Sequence, residues 1–144
     1  MGRHKGYTII ELIVVLALFS ILFSMAVPNF SYFSRAREVQ ELKEFKRDVL
    51  FTRNQAIVKG KVHYLQLEYN ENSYSILCEG QYIKRVNFNH GITLITNSAV
   101  SKITFTRSGI PSQGDAIKLR NSDMQRYNLV VNPVTGKITL REGL

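Results

Sequence analysis

Sixteen consecutive residues, Leu12 to Val27, carry no charge, and Ser20 and Ser24 are their only hydroxyls. Taken from Tyr7 to Pro28, the segment has 22 residues. As a helix that is about 33 Å, enough to cross the hydrocarbon core of a bilayer. One carboxylate, Glu11, stands near its start. A charge in such a segment costs a few kcal/mol at the helix centre and less near an end. An acid here therefore calls for a cation or several donors.

Residues 1–6, Met-Gly-Arg-His-Lys-Gly, are short, basic and free of acids, the form of an export leader. Three readings compete. An ordinary signal peptide would use Arg3 and Lys5 as its basic region and Ser24-Met25-Ala26 as its cleavage site, leaving a secreted β domain. A plain membrane anchor would keep the whole run. Cleavage between Gly6 and Tyr7 would keep the run and create a new α-ammonium four residues before Glu11. Neither of the first two gives Glu11 a purpose, whereas the third supplies its cation.

Beyond Pro28, which should kink a helix, the apolar residues Val39, Leu42, Phe45, Val49 and Ala56 recur at helical spacing, with Leu50 and Ile57 widening the stripe. Charged residues fill the other faces and read as solvated. Gly60, between Lys59 and Lys61, is a helix terminator. The pattern predicts one helix of roughly 50 residues from Tyr7, apolar in its first half and amphipathic in its second. The rest reads as about eight short strands: 62–69, 74–78, 82–88, 92–96, 102–106, 116–120, 127–131 and 137–141. Turn residues separate them, so antiparallel sheets are expected. The fold class is thus α+β, a long N-terminal helix packed on an antiparallel β domain. Expected boundaries are a leader at 1–6, an apolar helix at 7–30 and a globular domain at 31–144, made of an amphipathic helix 31–60 and β sheets 61–144.

Lys5-Gly6 followed by Tyr7-Thr8-Ile9-Ile10-Glu11-Leu12-Ile13-Val14-Val15-Leu16 resembles the N-terminal signature of type IV pilins and pseudopilins. Tyr7 replaces the more usual Phe. Arg53 to Gly60, Ile103 to Gly109 and Asn132 to Ile138 extend the resemblance to H-type pseudopilins and FimT-like minor pilins. The resemblance implies cleavage by prepilin peptidase between Gly6 and Tyr7, N-methylation of Tyr7 and a register-setting role for Glu11 during assembly. It implies a single-pass protein of the inner (cytoplasmic) membrane whose C-terminal domain lies outside the cytoplasm and which enters a filament with other pilin-like subunits. The machine is a type II secretion system, a type IV pilus or a competence pseudopilus. Cys78 alone forms no internal disulfide and reads as a small buried apolar residue. The lack of a disulfide-closed loop favours a minor over a major subunit.

Enzyme chemistry finds no support. His4, His63 and His90 have no metal-ligand spacing, and no nucleophile-elbow, phosphate-loop or dinucleotide pattern occurs. No cofactor and no metal are expected. The net charge is +8. Loss of Arg3 and Lys5 with the leader would bring it to +6, and residues 81–144 alone hold nine Lys and Arg against three acids. Lys118 and Arg120 alternate on one predicted strand, Lys137 and Arg141 on another, so each pair shares a face. Tyr82 and Tyr127 could add stacking. Such a face would suit DNA in an uptake role, with salt-dependent affinity. It would equally suit an acidic neighbouring subunit, or simply keep the domain soluble.

Overall fold

The computed structural model describes residues 8–26, 30–95, 101–112 and 114–143. The chain divides into two units, Met1–Phe33 and Ser34–Leu144. In the first, α1 runs Ile9–Ala26. Thr8 caps it: the Glu11 backbone N–H donates to Thr8 Oγ1 at 3.3 Å, one of the otherwise unsatisfied donors of a helix start. Helix α2 spans Phe30–Lys59 and stops at Gly60, whose φ of 59° only glycine adopts without strain. The bend expected at Pro28 lies outside the described residues.

Among the described residues the second unit holds eight strands in two antiparallel sheets. β1 (His63–Glu68), β2 (Ser73–Cys78), β3 (Gln81–Asn87) and β5 (Lys102–Phe105) form one, in the order β3-β2-β1-β5. β4 (Thr93–Leu94), β6 (Asp115–Arg120), β7 (Arg126–Val131) and β8 (Ile138–Gly143) form the other, in the order β4-β6-β7-β8. The strand count and antiparallel pairing follow the sequence expectation. The division into two sheets does not come from strand patterns, because it depends on which strands the loops allow to pair.

One apolar cluster joins α2 to both sheets, with Leu42, Phe45, Val49 and Ala56 of the helix against Leu65, Ile76, Ile103, Ile117, Leu119 and Leu129. The Phe45 ring meets Tyr74 edge-on at 4.9 Å and Phe88 at 5.5 Å, the edge-to-face geometry that ring quadrupoles favour. Val39 departs from the expected stripe and is 45% exposed, as is Ile57 at 46%. Polar side chains of α2 are among those buried instead. Glu38, Glu41, Asp48 and Thr52 are buried, whereas the periodicity assigned the acids to solvent. Cys78 is half-buried rather than buried. It stands opposite His63, which is fully buried; its Nδ1–H donates to the Lys61 carbonyl at 2.9 Å and its Nε2 has no partner among the described residues.

A buried charge is tolerated only when its lone pairs are filled, and each acid meets that demand from a different loop or strand. Glu41 accepts from the backbone N–H of Asn89 at 2.7 Å, of His90 at 3.2 Å and of Ile92 at 3.4 Å. Asp48 Oδ2 accepts from the Tyr74 hydroxyl and from Lys84 Nζ, both at 2.7 Å. Glu38 accepts from the Ser122 hydroxyl in the β6–β7 turn. Farther along, Arg53 Nε donates to the Gly109 carbonyl at 3.0 Å. Its guanidinium lies against Gly136, where an added Cβ would come within 2.8 Å of Nε. Helix α2 thus holds one sheet directly through strands β2 and β3, and both sheets through the loops that connect their strands.

Glu41→Gln replaces an acceptor oxygen with a donor facing N–H groups. It is expected to lower unfolding free energy by roughly 2–3 kcal/mol in chemical denaturation. Burial first, then the hydrogen bond to Asp48, raise the Tyr74 phenol above its ordinary value of 10.0. The folded state therefore holds this proton more tightly than the unfolded state. That contribution is fully present below pH 10 and is lost as pH rises further, with a slope of at most about 1.4 kcal/mol per pH unit. Tyr127 adds in the same direction. Tyr74→Phe is expected to flatten the alkaline limb of a stability–pH profile; an unchanged limb would contradict the role given to Tyr74.

Candidate functional site

Two surfaces stand out. The first is α1. Its large apolar side chains, from Ile9 through Phe23, are exposed on every face. A helix apolar all round is one that is meant to be enclosed. Glu11 is the only charge in it, is also exposed, and lies in the first turn. Among the described residues no helix is long and apolar enough to cross a membrane. The 18 residues of α1 make about 27 Å, just short of a bilayer's hydrocarbon core of about 30 Å. Gly6 and Tyr7, the expected cleavage and methylation positions, lie outside the described residues. Sequence reading passed over the Thr8 cap, although Thr-x-x-Glu ahead of an apolar run carries that signal.

The second surface is the outer face of the β4-β6-β7-β8 sheet. Ile117, Leu119, Leu129 and Val131 point into the core, so the alternate residues of β6 and β7 face out. Lys118 is opposite Asn128, which is opposite Arg141. Arg120 is directly opposite Arg126. Three of the four expected basic residues therefore share one region, and Arg126 joins them, a residue just outside the strand predicted at 127–131. Lys137 does not. It precedes β8 at the far end of the sheet, in the turn closed by Gly136 N–H to the Asn132 carbonyl at 2.9 Å. The two expected stacking residues are elsewhere: Tyr82 is on β3 of the other sheet, and Tyr127 alternates to the opposite side of β7 from Arg126 and Asn128.

Lys118, Arg120 and Arg126 line an open groove of about 220 Å³ with Ile95 and Met124. Met124 is 66% exposed and has φ 64°, an outlier for a bulky residue. The turn carrying it is firmly held. Buried Asn121 accepts from the Gln125 N–H at 2.8 Å through Oδ1, and the Met124 N–H donates to the Asn121 carbonyl at 3.1 Å. Ser122 is bound by Glu38, and Asp123 pairs with Arg35 at 3.1 Å.

Acids and bases of the globular unit are partnered unequally. All but one of its described carboxylates are bonded within the chain, three of them buried. Beyond Glu38, Glu41 and Asp48, Glu44 pairs with Arg47, Glu68 and Glu71 with Arg85, Glu79 with Lys61 and Asp123 with Arg35. Glu142 alone among them makes no such bond. By contrast, Lys118, Arg120, Arg126 and Arg141 have no ion pair among the described residues. No three His, Cys, Asp or Glu side chains converge in a metal-binding set among the described residues.

Comparison with known proteins fits this architecture. Residues 1–27 match the prokaryotic N-terminal methylation motif, and residues 41–136 match the family described as Type II transport protein GspH. The Type IV major pilin protein PilA of Myxococcus xanthus (strain DK1622) is 29% identical over 109 residues, 76% of this chain and 48% of that protein. The chain thus spans about half the length of this curated relative. Among solved structures, the type IV minor pilin FimU of Pseudomonas aeruginosa PAO1 superposes with a TM-score of 0.61 at 19% identity, covering 76% of this chain and 92% of that one. The minor pseudopilin EpsH from the type 2 secretion system of Vibrio cholerae gives 0.57 at 11% identity, over 73% and 95%. At such identities the structures speak to the fold, while the two family-model matches speak to descent. The chain belongs to the GspH family, and through it to the type IV pilin and pseudopilin superfamily.

Proposed function

We propose that this protein is a minor pilin or pseudopilin, a structural subunit of a type IV filament machine rather than an enzyme. The observation that carries the reading is α1, an apolar helix exposed on every side with one carboxylate in its first turn. Prepilin peptidase would cut between Gly6 and Tyr7, and Tyr7 would be N-methylated. The uncharged run to Val27 would hold the subunit in the inner membrane, with the globular unit outside the cytoplasm. On assembly, α1 would leave lipid for the apolar helices of other subunits. Transfer between two apolar surroundings changes little in hydrophobic free energy, so position along the filament must come from a polar term. Glu11 supplies it, because its carboxylate is stabilised only where a neighbouring subunit presents the Tyr7 ammonium at the same depth. Minor status is supported by the likeness to minor pilins and by Cys78, a single cysteine that closes no loop.

Intact mass and N-terminal sequencing of the protein from cells holding prepilin peptidase are expected to give a chain beginning at methylated Tyr7. A start at Val27 would instead mark an ordinary secreted domain. Glu11→Ala is expected to remain membrane-inserted while its amount in sheared filaments falls about tenfold, as loss of one buried charge pair predicts. Unchanged incorporation would remove the register role.

A further inference from the structure

We propose that the basic groove on the outer face of the β4-β6-β7-β8 sheet docks an acidic, apolar-centred surface of a different protein subunit, with Met124 as the inserted side chain. The proposal rests on the filament-subunit reading above for the place where it acts, and on three observations for its chemistry.

The first is a cross-strand pair of like charges. Arg120 and Arg126 stand directly opposite each other, with Lys118 two residues from Arg120 on the same face. Opposed like charges destabilise a sheet, and no acid among the described residues relieves these. An external carboxylate does so, and the planar guanidinium fork binds it bidentately.

The second is the Met124 turn. A bulky side chain in the left-handed region is strained, and strain of this kind persists where the surroundings over-determine it. Here Asn121, and the contacts of Ser122 and Asp123 with α2, hold the backbone while the side chain stays exposed. An exposed apolar side chain on a held backbone, beside three cations, matches the composition of protein interfaces, where Met and Arg are enriched and an apolar centre sits inside a polar rim. A groove for single-stranded nucleic acid would instead offer aromatic rings for bases, and this groove has none: its lining is Ile95, Met124 and three cations.

The third is the fate of the chain's own acids. A second copy would have to exchange ion pairs of its own to fill this groove, since the described carboxylates of the globular unit other than Glu142 are bonded within the chain. The complementary surface therefore belongs to a different protein, one whose Asp and Glu side chains are uncommitted.

The test uses the full-length chain in cells that make the filament. A photo-reactive benzoylphenylalanine replaces Met124; after irradiation the adduct is identified by mass spectrometry, and sheared filaments are scored for the chain in parallel. The expected adduct joins Met124's position to another subunit, at a peptide rich in Asp and Glu. The triple variant K118E/R120E/R126E is expected to cut adduct yield about tenfold, since like charges across an interface oppose binding. Reversing the partner's acids to Lys should restore it. K118Q/R120Q/R126Q, with an unchanged melting temperature, is expected to show an intermediate loss and guards against misfolding. An adduct with a second copy, an adduct with nucleic acid, no adduct, or a yield indifferent to charge reversal would each overturn the proposal. Filament scoring separates the two readings. A chain present in filaments with a charge-insensitive adduct sinks the docking site alone. A charge-sensitive adduct from a chain absent from filaments sinks the filament role alone.

Discussion

The globular unit depends on carboxylates taken out of water on one face of α2. Glu38, Glu41 and Asp48 would each be costly there alone. They are tolerated because the β3–β4 loop, the β6–β7 turn and strands β2 and β3 bring donors to them. The dependence runs both ways. Loops have few backbone partners of their own, and three N–H groups of the β3–β4 loop end on Glu41. Arg53 extends the scheme with opposite polarity, a donor aimed at the Gly109 carbonyl. Two of the positions these side chains approach are glycines in the left-handed region, Gly91 at φ 98° beside Glu38 and Gly136 at φ 63° beside Arg53.

This use of acids shapes the surface. Three acids are buried by internal bonds and most of the others are paired at the surface, while Lys118, Arg120, Arg126 and Arg141 are left without an ion pair among the described residues. Two kinds of contact follow from two kinds of physics. The apolar α1 is suited to contacts that are uniform and tolerant of partner, and we propose Glu11 as the term in it that is sensitive to position. The β-sheet face is suited to a contact selected by charge and shape. A subunit that joins a filament of many others needs both: one to be admitted, the other to be placed beside a particular neighbour.

Much of this was legible in the residues because the governing rules are local. The uncharged run from Leu12, the period of Leu42, Phe45 and Val49, the left-handed stop at Gly60 and the alternation of each strand all act over a few residues. The failures share a cause. Glu38, Glu41 and Asp48 read as solvated because helical periodicity says which side a residue lies on, not what partner waits there. Val39 sits at the right spacing yet is exposed, since the helix presents to the sheets a broader, partly polar face than an apolar stripe implies. Lys137 was grouped with Arg141 by alternation, and only strand boundaries separate them. Arg126 was missed as a partner of Arg120 because opposition across a hairpin depends on register, which the Asn121–Gln125 turn sets.

What the sequence determined by itself was the character of the first 30 residues and the class of the remainder. An apolar run of that length and a succession of short β-forming segments admit few alternatives, and hydrophobic transfer and backbone preference act without knowledge of the rest of the chain. Tertiary structure alone decided the split into two sheets, the burial of three acids and the convergence of Lys118, Arg120 and Arg126 beside Met124. Each depends on pairings between residues distant in the chain. An interaction energy between such residues exists only once the chain has brought them together.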